Sequence, residues 1–151
     1  TTGVLAGYPL VDVKVTLVDG SYHPVDSSDL AFQMAGAMAL REGVRKCKPA
    51  LLEPVMRLEI TTPGEFLGDI LGDINSRRGH IKGIEGIGDI QTIQALIPLS
   101  ECFGYATHIR SLSQGRANHS MEFSHYSLVP QSIFEEVVSA KTGAEDNKSA
   151  I

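Results

Sequence analysis

Residues 56–79 read MRLEITTPGEFLGDILGDINSRRG, and within this stretch the spacing of apolar positions switches from a strand's to a helix's. Met56, Leu58 and Ile60 alternate with Arg57 and Glu59, the pattern of a strand with one buried face. Thr62-Pro63-Gly64-Glu65 has the spacing of a capping box, with proline at the first helical position. Phe66, Leu67, Ile70, Leu71 and Ile74 then line one helical face, and Arg77-Arg78-Gly79 ends it. Downstream, residues 80–85 and 90–97 read as strands joined by the hairpin turn Gly86-Ile87-Gly88-Asp89. Ser100 is placed to cap a second helix, whose buried stripe takes in Cys102, Ala106 and Ile109 and which Gly115 stops. Residues 116–126 form a last strand with Met121 and Phe123 turned to the core. The order βαββαβ over residues 52–128 predicts an α+β, ferredoxin-like split βαβ sandwich with one sheet face free of helices.

Working outward, residues 1–51 read as a partial α/β domain of one strand, a loop and a helix. Val11, Val13, Val15 and Leu17 alternate with Asp12, Lys14 and Thr16, and Asp19-Gly20 turns the chain. Asp26 and Ser27 can accept from free backbone N–H groups at a helix start, and Asp29 suits its positive end. Between strand and helix, Gly20, Ser21, Tyr22 and His23 form a presented tip braced on both sides. The helix over residues 30–46 carries Leu30, Ala31, Met34, Ala35 and Met38 on one face, and its small residues predict close packing on a sheet. One strand cannot supply that sheet, so the sequence is expected to begin inside a domain whose earlier strands it lacks. At the other end, residues 129–140 form a short amphipathic helix with Ile133, Phe134, Val137 and Val138 docked on something apolar. Residues 141–151 are polar and expected to be disordered.

The 151 residues, 42% hydrophobic, suffice for one full core or about two small ones. No apolar run approaches the ~20 residues of a membrane span and no signal core opens the chain, so a cytoplasmic location and no membrane partner are expected. Cys47 and Cys102 lie far apart without a CxxC, which points to free thiols. The net charge of -5 argues against a general nucleic-acid coat, so any polyanion contact must be local.

Chemistry-bearing patterns are sparse. No GxxxxGK[ST] occurs, and Gly83, Gly86 and Gly88 sit in a hairpin rather than before a helix. The five histidines show neither HExxH nor Cys-His spacing, and His119 and His125, on one face of a strand, would be about 20 Å apart. Cys102 and His108 make no convincing nucleophile pair. No catalytic residue, no metal site and no cofactor are therefore assigned. Basic residues and polar neighbours mark two edges: Arg77, Arg78 and Lys82 at one, Arg110 and Arg116 with Ser111 and Gln114 at the other. They either complement helix dipoles or form two separate phosphate-contact patches. Tyr22 and His23 are either solvated loop residues or rings suited to RNA bases and 2′-hydroxyls.

Several long motifs resemble the bacterial translation elongation factor G family. They are GYPLVDVKVTL (7–17), DGSYH (19–23), VDSS (25–28), LEPVM (52–56), GDI (68–70), NSRRG (75–79), FGYAT (103–107) and LSQGR (112–116). The similarity covers about residues 3–138. It implies that residues 1–51 are the C-terminal part of domain IV and residues 52–128 domain V. It further implies that the tip, with His23 at the family's tip histidine position, enters the decoding region beside the tRNA–mRNA duplex. Domain V then approaches the GTPase-associated rRNA and the sarcin–ricin loop, with Arg110, Ser111 and Gln114 facing that loop. The implied partner is a 70S-type ribosome, met by a monomer. GTP and Mg belong to a G domain that this sequence lacks. After Gln114-Gly115-Arg116 the family usually has another glycine where this chain has Ala117. A recycling or ribosome-protection paralogue, or a stand-alone ferredoxin-like ligand-binding module, are the alternative readings.

Overall fold

The computed structural model describes residues 3–146. Its elements are α1 (Asp29–Lys46), β1 (Leu52–Pro63), α2 (Leu67–Ser76), β2 (His80–Ile87), β3 (Ile90–Pro98), α3 (Tyr105–Leu112), β4 (Asn118–Leu128) and α4 (Gln131–Asp146), with 3-10 turns at Gly64–Phe66 and Leu99–Glu101. They divide into two compact units, Leu52–Leu128 and the residues on either side of it.

The Leu52–Leu128 unit is a four-stranded antiparallel sheet in the order β2-β3-β1-β4, the ferredoxin-like arrangement. Leu58 and Ile60 of β1 and Ile93, Ala95 and Ile97 of β3 meet Ile70 and Ile74 of α2 and Tyr105 and Ile109 of α3 in one core. Each isoleucine or leucine withdrawn completely from water there contributes about 2 kcal/mol.

Three helix and strand details differ from expectation. Thr62 is no cap: β1 continues past it by pairing with β3 through Pro63, so Thr62 is buried and the Gly64–Phe66 turn delays α2 without a side-chain cap. Ser100 does not cap α3 either, because the Leu99–Glu101 turn intervenes and Gly104, at φ 71°, opens the helix. Tyr105 rather than Ala106 then sets the buried face with Ile109, four residues on, and Ala106 is exposed.

In β4, Met121 pairs with Leu58 and packs on the core, but Phe123 lies 54% exposed on this edge strand and rests on Tyr126, ring centroids 5.2 Å apart. The pairing slips at this point, with Phe123 opposite Met56 and His125 opposite Val55, so Ser124 is an extra residue. Facing partners share a side, and the slip therefore puts His125 on the face opposite α2 and α3 while His119 stays on their side with Ile60. The two histidines do not share a face as simple alternation predicted.

In the other unit, α1 forms where expected, but its cap is Ser28, whose Oγ accepts from Ala31 N at 3.1 Å. Ser27 and Asp26 turn inward to the loop instead. The predicted strand at residues 11–17 is not one: the segment has no ladder, and Asp12 takes φ 55°, which breaks extended geometry. The sheet of the Leu52–Leu128 unit being the only one among the described residues, α1 has none to cover within its own unit, and Leu30, Met34 and Met38 are exposed. In α4, Ile133, Phe134, Val137 and Val138 are half-buried as the amphipathic pattern requires, and Lys141 sits over the Tyr8 ring at 5.4 Å. Residues 141–146, expected to be disordered, continue this helix; the remainder of that expected tail, residues 147–151, lies outside the described residues. No helix is long and apolar enough to cross a membrane among the described residues.

Candidate functional site

The tip is organised by its own hydrogen bonds. Gly20 N donates to Asp19 Oδ1 at 2.7 Å, His23 N to Ser27 Oγ at 2.7 Å, and Ser27 N returns a bond to His23 O at 3.0 Å. This reciprocal pair closes the loop directly against the Ser28 cap, so the loop and the helix start form one hydrogen-bonded piece. Tyr22 is 70% exposed and the His23 side chain 67%. His23 Nδ1 lies 3.2 Å from Asp26 Oδ2 and 3.4 Å from Val25 N. The first contact needs a proton on Nδ1 and the second a bare nitrogen, so they are alternatives, and the shorter favours Nδ1–H. Both rings thus project from a turn whose backbone is tied down. Gly20 and Ser21 are exposed beside them.

At the end of α3 the backbone is held as firmly. Ser113 is buried, donates through Oγ to Ile109 O at 2.7 Å and accepts from Ala117 N at 3.1 Å. Gln114 and Gly115 adopt φ 53° and 79°, and Gly115 N returns to Arg110 O at 2.8 Å. Arg110, Ser111 and Gln114 are exposed around this turn, and their side chains have no hydrogen-bonding partner among the described residues. Arg116 differs: it pairs with Glu65 at 2.5 Å and its guanidinium lies 4.7 Å from the Phe66 ring centroid. Ala117 is buried, and its N–H donates to Ser113 Oγ.

The opposite patch is electrostatically spent. Arg77 donates to Asp73 at 3.0 Å and to Glu101 O at 2.9 Å, and its guanidinium sits 5.2 Å from the Tyr105 ring centroid. Asp73, nearly buried, also takes His108 Nε2 at 3.0 Å. Arg78 grips Glu53 with two bonds of 2.9 and 3.0 Å, and reaches Glu101 at 3.1 Å and Ser100 at 3.2 Å. These bonds, that to Glu53 foremost, hold the Arg78 guanidinium above its ordinary pKa. Lys82, exposed at the slipped register between Ile81 and Gly83, is the one predicted cation of this patch without an ion pair among the described residues. Arg77 meets the start of the α3 connection and Arg116 the start of α2, so α2 and α3 run antiparallel and the two cationic ends lie apart.

Sequence reading found the arginines but missed their carboxylates. The Asp73–Arg77 spacing of four on α2 was available as a signal; Glu53 and Glu101, 25 and 23 residues from Arg78, gave none. Ser113 was missed as well, though a serine at a helix end before Gln-Gly is a candidate for local backbone bonding.

Residues 1–48 match the family described as elongation factor G, domain IV, and residues 50–137 match the elongation factor G C-terminus. The chain belongs to the elongation factor G family. A crystallographically solved protein of Thermus thermophilus is 40% identical, with a TM-score of 0.83 over 94% of this chain. The chain spans 22% of that protein's length. In elongation factor G terms, the tip belongs to the domain IV match and the α3 turn to the C-terminal match, and both matches fall in translation-factor domains rather than in a G domain.

Proposed function

We propose that this chain is the ribosome-binding C-terminal region of a factor that promotes GTP-dependent translocation of tRNA and mRNA. In this reading Gly20, Ser21, Tyr22 and His23 act at the decoding region. The α3 turn contacts large-subunit rRNA at the sarcin–ricin loop through Arg110, Ser111 and Gln114, and domain V also approaches the GTPase-associated rRNA. GTP and Mg chemistry stays with a G domain elsewhere in the parent factor.

One observation carries the reading: both candidate contact surfaces present exposed polar or aromatic side chains from backbone that is internally bonded. Such a surface loses little entropy on docking, which suits a part whose role is to bear against RNA. Arg116 is partly neutralised by Glu65, and Arg77 and Arg78 are committed to carboxylates, so the free cations of the two patches, among the described residues, are Arg110 at one end and Lys82 at the other. Binding should therefore be weak for the isolated chain and salt-sensitive, with about one counterion-release unit lost on removing Arg110. The decisive experiment places His23→Ala in a complete factor carrying this chain. Translocation should slow while GTP turnover is retained; unchanged translocation would sink the tip assignment.

A further inference from the structure

Asp19-Gly20 is the only place in the sequence where an aspartate or asparagine is followed by glycine. Residues 13–23 belong to no helix or strand, Asp19 and Gly20 are exposed, and Val18 before them is 91% exposed. Gly20 N donates to Asp19 Oδ1 at 2.7 Å. The Asp19 carboxyl carbon stands one C–O bond of about 1.2 Å behind that oxygen, so it lies within about 4 Å of the nitrogen, near the ~3–3.5 Å of a reacting pair. Gly20 has no β-carbon to shield its nitrogen, and the space where one would stand is open.

Asp26-Ser27, in the same loop, is held differently. Ser27 N is committed to His23 O at 3.0 Å, and Asp26 Oδ2 lies 3.2 Å from His23 Nδ1. The other aspartates and asparagines of the described residues lie in helices or strands or precede a β-branched residue. The two limbs of the tip thus differ: residues 23–27 are tied across the loop, whereas the bond at Asp19-Gly20 joins sequence neighbours and leaves the main chain able to turn toward attack.

We propose that Asp19 is a site of spontaneous covalent modification, converting to isoaspartate in the folded chain. The Gly20 nitrogen attacks Cγ of the protonated Asp19 carboxyl; the N–Cγ bond forms, a Cγ–O bond breaks, and the departing oxygen leaves as water with the amide proton and the carboxyl proton. The product is a five-membered cyclic imide. Water then adds to either imide carbonyl: cleaving N–Cγ restores aspartate, and cleaving the original peptide C–N bond leaves the main chain running through Cγ. No oxidant or reductant takes part, and the net change is an isomerisation. It inserts one extra main-chain atom ahead of Tyr22 and His23 and leaves the α-carboxylate as a branch.

The test incubates the full chain in mildly acidic water enriched in heavy oxygen, then digests it with an endoproteinase that cuts before Asp19 only while its linkage is normal. The expected product is a peptide left uncut between Val18 and Asp19 that carries one heavy oxygen. It should accumulate at least about tenfold faster than the same product at Asp26, where a backbone hydrogen bond must first break. Gly20→Ala should slow it several-fold by placing a β-carbon beside the nitrogen. A synthetic peptide of residues 15–24 gives the unfolded rate, which the folded chain should match or exceed. No heavy oxygen at Asp19, equal accumulation at Asp26, no effect of Gly20→Ala, or a folded chain an order of magnitude slower than the peptide overturns the proposal. Label and cleavage are read without a ribosome, so the outcome is independent of the decoding-region role given to the tip.

Discussion

Replacing Arg78 by alanine should destabilise the chain by about 2–3 kcal/mol, a value bracketed by the local geometry. A fully buried ion pair broken on one side costs about 3–5 kcal/mol, and an exposed pair about 0.2–1 kcal/mol. The Arg78 side chain is 27% exposed, Glu53 14% and Glu101 34%, so the site lies between these limits and nearer the first for Glu53. Arg78 also holds φ 55°, a conformation costing a non-glycine residue about 1 kcal/mol or more. Arg78→Gly loses the same bonds but relieves that strain, and should therefore be about 1 kcal/mol more stable than Arg78→Ala. Urea unfolding followed by far-ultraviolet circular dichroism gives both values, with the slope of the transition checked for constancy. An alanine variant within about 0.5 kcal/mol of the parent would show that the Glu53 grip is screened away. A glycine variant no better than alanine would remove the strain argument.

Gly79→Ala would set a β-carbon 2.5 Å from Ile74 Cγ2 and 2.6 Å from Ile74 O, against a completely buried residue. It should cost about 2 kcal/mol or more in the same unfolding measurement. Ser28→Ala removes the hydroxyl that caps α1 and should cost about 1 kcal/mol, read as reduced helical signal and a lower midpoint, whereas Asp26→Ala should leave helix content unchanged. The Tyr105 hydroxyl is buried without a hydrogen-bond partner among the described residues, so Tyr105→Phe should stabilise by about 1 kcal/mol at pH 7. Burial, with Asp73 adding to it, pushes the Tyr105 phenol well above its ordinary range. The folded state thus keeps a proton that the unfolded chain releases near pH 10. Stability from this group is present below that pH and falls above it by up to about 1.4 kcal/mol per pH unit, and the phenylalanine variant should lack this alkaline decline.

The β1–α2 stretch was legible because its apolar spacing changes period within a few residues, and the core bears Ile60, Ile70 and Ile74 where that spacing puts them. Helix starts were less so. Thr62 and Ser100 have the chemistry of caps, but strand pairing and a 3-10 turn, both set by tertiary contacts, decide where the helices begin. A single extra residue at Ser124 reverses the faces of the last residues of β4, and nothing in the local composition announces it. Among candidate site residues, the exposure of Tyr22 and His23 followed from turn chemistry, and that of Arg110 and Gln114 from their place at a helix end. The engagement of Arg78 by Glu53 and Glu101 did not, since a contact across 25 residues of sequence leaves no local pattern.

Among the described residues, the hydrogen bonds that shape the tip all close between Asp19 and Ala31. The loop is consequently a cassette: its form is written in its own backbone and the first turn of α1, with no distant residue needed to enforce it. Grafted ahead of another helix as residues 19–31, it should bring its presentation of Tyr22 and His23 along, so what reaches outward can be exchanged or transplanted separately from the sheet domain that follows.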